Sequence, residues 1–450
     1  MRRVLLSMAL VALVVASVQA SILTNTNQSA PYIRLLSRNA STDIDAVYYN
    51  PAGLTRLRDG WHFSLSSQTI FQDKTITNDY LLLNEREYIG KVRVPVFPDV
   101  YAVYKKNRLA VSFGFGPNAG GGSADYDTGL PAFETAIASL PLLLSSAGLP
   151  TTAYSADISF KGSSVFYGFQ LNVSYALSDM VSLAAGARYI SAKNTYEGDI
   201  KSIMINPKHP LLNPTAAMIS APAFFAKLGP AFAYYAAATS DMRVDAKQTG
   251  SGFTPILSLN LKPLENLNLA VRYEFETKLE LTNDTAEDDV GLFPDGEVTR
   301  SDIPAIFSLG AEYGLMPNLR ASLSFNYFFD EGVNWDFPGT RDLIAHNAWD
   351  LGFGLEYDVT SMFRLSAGVL HTEMGINTDY QTDLRHELSS NTVGLGGRVT
   401  LSDRLSIDIA ALNVWYADAD KQIAYPPLGS FTESYKRTSV SIAVGVNVGF

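Results

Sequence analysis

Apolar and polar residues alternate with a period of two along most of the chain, which is the pattern of β-strands with one apolar face. The C-terminal stretch from 439 to 450 shows it most clearly, with large apolar residues at even positions and small or polar residues at odd ones. The same alternation returns at 169–175, 269–275, 351–357 and 405–409. The pattern predicts an all-β protein, although a soluble sandwich also shows such alternation in a single strand.

The connections between these runs alternate strictly between short and long. Six short links are rich in Pro, Asn, Asp or Ser, and they lie at 104–112, 175–183, 261–269, 313–322, 357–366 and 401–407. Seven longer links lie at 72–90, 117–160, 202–250, 283–298, 331–346, 376–388 and 418–435. This layout is typical of a transmembrane barrel with short turns on one side and longer loops on the other. It predicts fourteen antiparallel strands, and a soluble multi-sheet protein would not explain it.

Aromatic residues mark the ends of the predicted strands. Tyr104, Tyr175, Tyr313 and Tyr357 each precede a short link, where an interfacial aromatic girdle is expected. Phe450 ends the last strand on its apolar face, which is typical of outer-membrane barrels. We therefore predict a multi-pass barrel in the outer membrane of a Gram-negative bacterium, surrounded by its lipid, with Phe450 as the contact for the barrel assembly machinery.

The N-terminus has the organisation of a signal peptide. Arg2 and Arg3 precede an apolar core at 4–18, and Val18-Gln19-Ala20 is a plausible cleavage site, so residues 1–20 would be removed. A membrane-anchoring helix is the alternative, but the core is short for a span. The formal net charge of −11 makes nucleic-acid binding a poor candidate. The absence of Cys excludes disulfides, thiolate catalysis and a lipoprotein anchor.

Composition and lumen chemistry raise the question of what fills the barrel. Only 18% of residues are charged, and the alternation places ten charged residues on the inner face. These are Arg272, Glu274, Glu276, Lys278, Glu280, Glu356, Asp358, Arg364, Arg398 and Asp408. Fourteen strands enclose more space than their own side chains can fill. The lumen is therefore open or plugged, and the segment from Ser21 to about Asp59 is the only spare piece long enough to plug it.

No catalytic or metal-binding pattern stands out. None of the five histidines lies in a recognised metal spacing, and no serine is singled out as a nucleophile. The acidic loop at 283–297 could bind a divalent cation through carboxylate oxygens, or it could be a solvated loop. We predict no enzyme activity, no cofactor and no metal.

Two outer loops and one strand depart from the regular pattern. Residues 130–149 and 215–239 are apolar and Ala-rich with Pro and Gly breaks, which predicts short helices that form a lid, a landing surface for hydrophobic ligands, or both. In the third strand, Gly114 and Gly116 face inward and are followed by Pro117. This sequence indicates either the end of the strand or a kink that opens a gap in the wall.

The segment 29–57 ends in the stretch DAVYYNPAGL, whose NPAG motif comprises Asn50, Pro51, Ala52 and Gly53. Pro51 fixes φ, Asn50 is expected to cap its own turn, and Gly53 is expected to adopt a conformation that other residues resist. Together with the predicted strands, apolar loops and terminal Phe, this segment resembles the hatch of FadL-type long-chain fatty-acid transporters of the outer membrane, which include relatives that import aromatic hydrocarbons. Tyr32-Ile33-Arg34-Leu35 replaces the smaller, Gly-rich run common in that family.

The resemblance implies a signal peptide (1–20), a hatch inside the barrel (21–59) and the barrel itself (60–450). It implies passive transport of hydrophobic molecules, first of all long-chain fatty acids, through an internal pocket, hatch rearrangement and lateral exit beside the third strand. The implied exit residues are Phe113, Gly114, Phe115, Gly116 and Pro117. The implied capture residues are Phe133, Leu140, Phe224, Phe225 and Phe232. Import of aromatic hydrocarbons, an aqueous porin, an adhesin and a barrel hydrolase stay open as alternatives.

Overall fold

A computed structural model describes residues 29–334, 340–425 and 429–450, so the predicted signal peptide lies outside the described residues. Fourteen antiparallel strands close into one barrel. They are β1 (Gly60–Asn78), β2 (Glu87–Lys106), β3 (Leu109–Tyr126), β4 (Tyr154–Ala176), β5 (Val181–Ile205), β6 (Met242–Leu264), β7 (Leu267–Glu274 and Glu280–Asp288), β8 (Val298–Arg300 and Ile306–Met316), β9 (Leu319–Phe328), β10 (Trp349–Asp358), β11 (Phe363–Glu373), β12 (Ser390–Ser402), β13 (Leu405–Tyr416 and Ala419–Ala424) and β14 (Ser430–Gly449). A two-residue strand, Ile219–Ser220, also pairs with β5.

The predicted alternation becomes a barrel with an apolar exterior. Even-numbered side chains of β14, such as Ile442 and Val444, are about half exposed, whereas Ser441 and Ala443 on the opposite face are buried. β1 and β14 pair along their whole length, and Trp61 and Phe450 exchange backbone hydrogen bonds of 3.2 and 2.8 Å at the seam. The pairing of β1 with β14 closes the barrel, so neither terminal strand leaves a free edge along this seam.

The short turns lie where the sequence predicts them, and five of the seven long loops are shorter than predicted; the connections from Phe328 to Trp349 and from Glu373 to Ser390 are slightly longer. β4 has 23 residues and β5 has 25, whereas a tilted strand needs about 9–11 residues to cross a bilayer. The strands therefore continue well beyond the membrane on the long-loop side. Tyr104, Tyr175, Tyr313 and Tyr357 are exposed on the outer wall beside the short turns, as a girdle requires.

The prediction of inner-face residues is wrong for one stretch of β7. Glu276, Lys278 and Glu280 are exposed, while Thr277 and Leu279 between them are fully buried. β7 is interrupted between its two segments, and the interruption shifts the alternation by one residue. Because the side-chain period is two, a one-residue shift exchanges the faces.

Six short α-helices complete the described fold. α1 (Ala30–Leu35) and α2 (Ala46–Tyr49) precede β1, together with a 3-10 helix at Pro51–Arg56. The long loops contain α3 (Pro131–Ala138), α4 (Leu140–Ser146), α5 (Ala221–Lys227) and α6 (Ala233–Ala238), with 3-10 turns at Pro230–Phe232, Asp330–Gly332, Thr340–Leu343 and Thr378–Tyr380. Among the described residues, each helix is too short to cross a bilayer.

Candidate transport path

The N-terminal segment, residues 29–59, crosses the lumen. α1 packs against β10–β14, and the 3-10 helix Pro51–Arg56 packs against β2–β6 on the other side. From Ser29 to Thr55 all side chains are buried except the half-buried Thr42 and Asp43. The segment therefore fills the space that the strand side chains leave.

Inward-facing glycines let α1 lie directly on the wall. A Cβ at Gly368 would come within 1.9 Å of the Leu35 carbonyl oxygen, and one at Gly394 within 2.1 Å of the Ile33 carbonyl oxygen. A Cβ at Gly354 would lie 2.6 Å from the Leu35 side chain. These contacts explain why β10, β11 and β12 carry glycine on their inner face.

Buried ion pairs hold the segment to the wall. Arg34 is fully buried and its guanidinium contacts Glu356 on β10, Ser366 on β11 and, through Nε at 3.1 Å, Asp408 on β13. Arg398 donates to both Asp408 carboxylate oxygens and reaches Asp43 of the segment at 3.3 Å. The predicted inward charges of β10–β13 are thus paired with the segment. A buried charge needs such partners, because desolvation without them is costly.

A second arginine stabilises the fold of the segment itself. Arg38 donates to both Asp45 oxygens at 2.6 and 2.7 Å and to Asp43 at 3.0 Å, and Ser41 Oγ donates to Asp45 at 2.6 Å. This network closes the loop between α1 and α2. The network therefore fixes residues 38–45, the loop that precedes α2.

The NPAG motif forms the corner that leads to β1. Asn50 Nδ2 donates to the Ser41 carbonyl at 3.0 Å and to Asn260 Oδ1 at 2.7 Å, and Ser258 Oγ donates to Asn50 Oδ1 at 3.2 Å. The expectation that Asn50 caps its own turn is wrong: its side chain makes no cap bond and instead links the segment to β6. Ala52 N donates to Ser258 Oγ at 3.3 Å, and Ser174 Oγ donates to the Pro51 carbonyl at 2.7 Å.

Gly53 is needed for space and not for backbone conformation. It is absent from the described glycines with positive φ, so the expected special conformation is wrong. A Cβ at Gly53 would lie 2.5 Å from both Asn50 Nδ2 and the Ser41 carbonyl oxygen. Glycine therefore permits the Asn50 side chain to reach across the corner.

Replacing Pro51 by Ala is expected to reduce uptake of a hydrophobic substrate while the barrel stays folded. Pro51 begins the 3-10 helix with φ already set, and its loss widens the conformations open to the corner. The wall contacts of Ala52 and the Pro51 carbonyl persist, so heat-modifiable migration of the barrel in gels should match the wild type. Wild-type uptake by this variant would argue against a role for the corner in gating.

A gap interrupts the wall between β2 and β3. Their ladder runs regularly from the short turn to the pair Val100–Phe115, and it resumes only at Val92–Ala124. Residues 93–99 of β2 and 116–123 of β3 have no partner across this gap. At most of these positions β2 still pairs with β1 and β3 with β4, with register shifts in both ladders. Of the predicted exit residues, Phe113 to Phe115 lie in the regular ladder, and Gly116 and Pro117 lie at the edge of the gap.

Prolines on both strands account for the gap. Pro95 and Pro98 of β2 and Pro117 of β3 lack the N–H that a ladder needs. Gly120 and Gly122 take positive φ of 88° and 77°, which bends β3 away from regular pairing. Sequence reasoning singled out only the β3 half; the signal it passed over is VPVFPD at 94–99, with two prolines inside a predicted strand.

The N-terminal segment closes the inner side of this wall. A small cleft there is lined by Val47 and Tyr48 of α2 and by strand residues that include Phe115, Gly116 and Gln170. Gln170 and Asn172 donate to the Val47 carbonyl at 2.8 and 3.1 Å. The cleft has room for little more than one water molecule, so α2 blocks passage as it stands.

Arginines hold Tyr48 in this blocking position. The Arg188 guanidinium lies 4.5 Å from the centre of the Tyr48 ring, and the Arg272 guanidinium lies 5.3 Å from it. Arg272 also donates to the Tyr48 carbonyl, and Glu274 accepts from Arg188 at 2.7 Å. Two guanidinium groups within cation–π distance stabilise the ring in this position, and its release requires these contacts to rearrange.

The four loop helices α3–α6 form a lid over the other end of the barrel. Their apolar side chains pack with the inner faces of the β1–β5 and β14 extensions in one buried cluster. Glu134 of α3 is buried and accepts hydrogen bonds from Tyr88 and, at 2.6 Å, from Tyr154. Asp383 accepts from the Ala132 N–H at 2.7 Å; burial raises the pKa of Asp383 well above its usual range, and the charge of Glu433 adds to the effect.

Most of the predicted capture residues lie inside this lid. Leu140, Phe224 and Phe225 are buried, and Phe133 and Phe232 are half-buried. The apolar side chains that the lid helices expose are others, notably Leu142 at 46% and Tyr234 at 53%. Sequence reasoning could not separate the two sets, because both lie in equally apolar stretches.

An apolar band lines the wall between the lid and the N-terminal segment. Along β5, Arg188 contacts Tyr48 of the N-terminal segment, and Ile200, twelve residues further along the strand, belongs to the buried cluster of the lid. The buried residues of the band lie between these levels and on neighbouring strands: Ala119, Phe166, Ile190, Ala192, Leu279, Leu281 and Ile303. Ala119 belongs to the unpaired part of β3, so the band reaches the gap.

The acidic loop 283–297 is organised by hydrogen bonds. Asp288 accepts from the Leu292 and Phe293 N–H groups at 3.0 and 2.6 Å, and Asp295 accepts from Thr285 N at 3.1 Å. Within the described ranges, no cluster of three acidic or histidine side chains could hold a metal ion.

Comparison with solved structures identifies the fold. The chain matches a FadL homologue of Pseudomonas aeruginosa with a TM-score of 0.66 at 15% identity, covering 96% of this chain and 100% of that one. It matches the toluene transporter TodX of P. putida with a TM-score of 0.60 at 14% identity (91% and 95% covered), and the toluene transporter TbuX of Ralstonia pickettii with 0.54 at 15% (91% and 94% covered). No family model matches the sequence, and no curated protein does.

The strand count, the closure and the packed lumen together define a plugged fourteen-stranded transmembrane β-barrel. More particularly, the fold is that of the FadL-type outer-membrane transporters, as the sequence predicts. At these identities the likeness establishes the architecture alone, and the substrate has to be argued from the site.

Proposed function

We propose that the protein is a passive outer-membrane transporter of hydrophobic molecules, with long-chain fatty acids as the first candidate substrate and aromatic hydrocarbons as the alternative. The proposal depends mainly on the gap between β2 and β3. An apolar band connects this gap with the lid, and α2 closes the gap from inside. A gap in the wall below a lid offers a route from the outer loops into the bilayer.

In this mechanism the residues 21–59 act as a hatch. A ligand partitions onto the lid, moves along the apolar band and displaces α2 from the cleft. It then leaves between β2 and β3 into the lipid. Burial of apolar surface at about 25 cal/mol per Å² favours capture, and a shift among hatch conformations suffices for release. Transfer runs down the ligand's own gradient and needs no further energy source.

An aqueous porin fits the site less well, because the N-terminal segment fills the lumen at the level of Arg34 and Asn50. Uptake of labelled oleate and of labelled toluene by cells that express the protein or lack it tests the proposal. Faster uptake of either compound supports it, and the preferred compound decides between the two substrate classes. Equal uptake of both by both strains, with large steady ion conductance in planar bilayers, would favour the porin.

The exposed lid residues should control capture at low substrate concentration. We expect the double variant L142S/Y234S to lower initial uptake of the preferred compound roughly five-fold when substrate is scarce, since the two half-exposed side chains together offer about 1 kcal/mol of apolar contact. Uptake at saturating substrate should stay unchanged, because the route below the lid is intact. A matched pair of exposed residues away from the lid, Leu65 and Leu171, serves as the control when both are changed to Ser. An equal effect of both double variants would contradict the capture role.

A further inference from the structure

Two buried polar side chains lie on the inner face near the gap, Asp99 at its edge on β2 and Gln68 on the neighbouring strand β1. Asp99 and Gln68 are each 1% exposed, and both polar atoms of each side chain lack a hydrogen-bond partner among the described residues. Asp99 forms no ion pair with a described Lys or Arg, unlike Glu274, Glu356 and Asp408 elsewhere on the inner wall. Buried polar groups normally have partners, so two neighbouring exceptions need an explanation.

Their place in the fold relates them to the exit route. Asp99 is the first β2 residue beyond the last β2–β3 pair, Val100–Phe115, and so stands at the edge of the gap. Two residues further along the same face, Tyr101 lines the cleft that α2 closes. On β1, Ser66 is opposite Asp99 and Gln68 is opposite Phe97, and a register shift follows directly at Gln68. Such an irregularity re-aims a side chain locally.

The pair offers a defined chemistry. The Asp99 carboxyl group accepts hydrogen bonds and, when protonated, also donates one, and the Gln amide both accepts and donates. A neutral O–H group, which donates once and accepts as well, satisfies both side chains. An anionic carboxylate head group would bring a second carboxyl group beside Asp99, and two such groups cannot both be ionised at close range. A hydrocarbon would leave all four polar atoms without partners.

We propose that Gln68 and Asp99 form a polar subsite that holds the neutral O–H head group of an amphipathic ligand, a fatty alcohol or a protonated fatty acid, at the inner edge of the gap before release. This inference rests on the proposed transport of hydrophobic molecules and specifies the substrate class. The polar subsite positions the head group, while the alkyl chain occupies the space that α2 vacates.

Displacement of a fluorescent hydrophobic probe, N-phenyl-1-naphthylamine, from the purified full-length barrel tests the subsite. The competitors are 1-dodecanol, its methyl ether, which retains the oxygen but cannot donate, and dodecanoate at alkaline and acidic pH. We expect the apparent Kd of 1-dodecanol to be at least about tenfold lower than that of the ether. Dodecanoate should compete well only at acidic pH.

Substitutions of Asp99 and Gln68 test whether the preference for the alcohol depends on these two side chains. D99L and Q68L should each reduce the preference for the alcohol over the ether, and the double variant should abolish it while competition by the ether persists. D99N should improve competition by dodecanoate at alkaline pH, because the amide carries no charge at any pH. D350N is the matched control, since Asp350 is an equally buried inner-face carboxylate that already accepts from Asn326 at 2.7 Å. Heat-modifiable migration in gels verifies that each barrel is folded.

The outcomes separate this inference from the proposed function. If alcohol and ether compete equally in the wild type, or if D99L/Q68L retains the full preference, the subsite is overturned while hydrophobic transport stands. If the probe does not bind and cells take up neither oleate nor toluene, the transport function fails and the subsite with it.

Discussion

A disulfide between Cys residues introduced by V47C and G114C is expected to stop transport, and reduction is expected to restore it. A Cβ at Gly114 would lie 2.9 Å from Val47 Cγ1, which is compatible with the roughly 3.5–4.5 Å that separates the Cβ atoms of a disulfide. The natural chain has no Cys, so the engineered pair has no competing thiol. The bond would fix α2 to β3 at the cleft and remove the open conformations. Uptake by the oxidised variant should fall at least about tenfold, since apparent affinity scales with the competent fraction.

The control places the same kind of bond elsewhere in the N-terminal segment. Ser37 Oγ and Ser324 Oγ are 3.0 Å apart, on the side of the lumen away from the cleft. An S37C/S324C disulfide should leave uptake near the wild-type rate, because α1 is already held by its ion pairs. Loss of uptake in both oxidised variants would mean that the whole segment moves. Full uptake by oxidised V47C/G114C, with the bond verified by mass spectrometry, would exclude displacement of α2.

The barrel can be predicted from the sequence because the pattern that indicates it is local. Alternation along a strand, and turn residues between strands, depend only on residues a few positions apart. The sequence overestimates five of the seven long loops, because the outer face of the adjoining strands becomes polar above the membrane. In residues 155–163 of β4, for example, the outward positions are all polar (Ser155, Asp157, Ser159, Lys161 and Ser163), although the stretch pairs with β5 along most of its length. The strand therefore continues where its sequence signal ends.

The site is less predictable because it depends on partners far apart in the chain. Asn50 bonds to Asn260, 210 residues away, and neither position carries a local signal for the other. The gap requires prolines on two neighbouring strands, so its extent follows from their register and not from either strand alone. The inner-face prediction fails at Glu276 because a strand interruption reverses the alternation, and nothing in the alternation itself marks such a reversal in advance.

Replacing Arg34 by Met is expected to unplug the barrel. Arg34 is fully buried, and its loss leaves Glu356 and Asp408 without the cation between them. Removing one partner of a buried pair costs about 3–5 kcal/mol. Arg398 still pairs with Asp408, which places the expected loss toward the lower end. Because Arg34 forms the ion pairs between α1 and the wall, we expect the segment to detach while the strand ladder persists. Planar bilayers should then show large steady conductance, and a protease should cleave the segment.

Two further variants test whether the ion pairs of Arg34 hold the segment in the lumen. R320M is the control, because Arg320 also pairs with Glu356, at 3.3 Å, but is 29% exposed and lies on the wall, so its loss should change conductance little. Replacing the buried triad by neutral groups of similar size is often tolerated, whereas breaking it is not. The triple variant R34M/E356Q/D408N should therefore conduct less than R34M alone, although Arg398 then loses one of its partners. If R34M conducts no more than the wild type and its segment stays protected from the protease, contacts other than the ion pairs hold the plug. The apolar and backbone contacts of α1 with the inner-face glycines of β10–β12 would then be the dominant restraint.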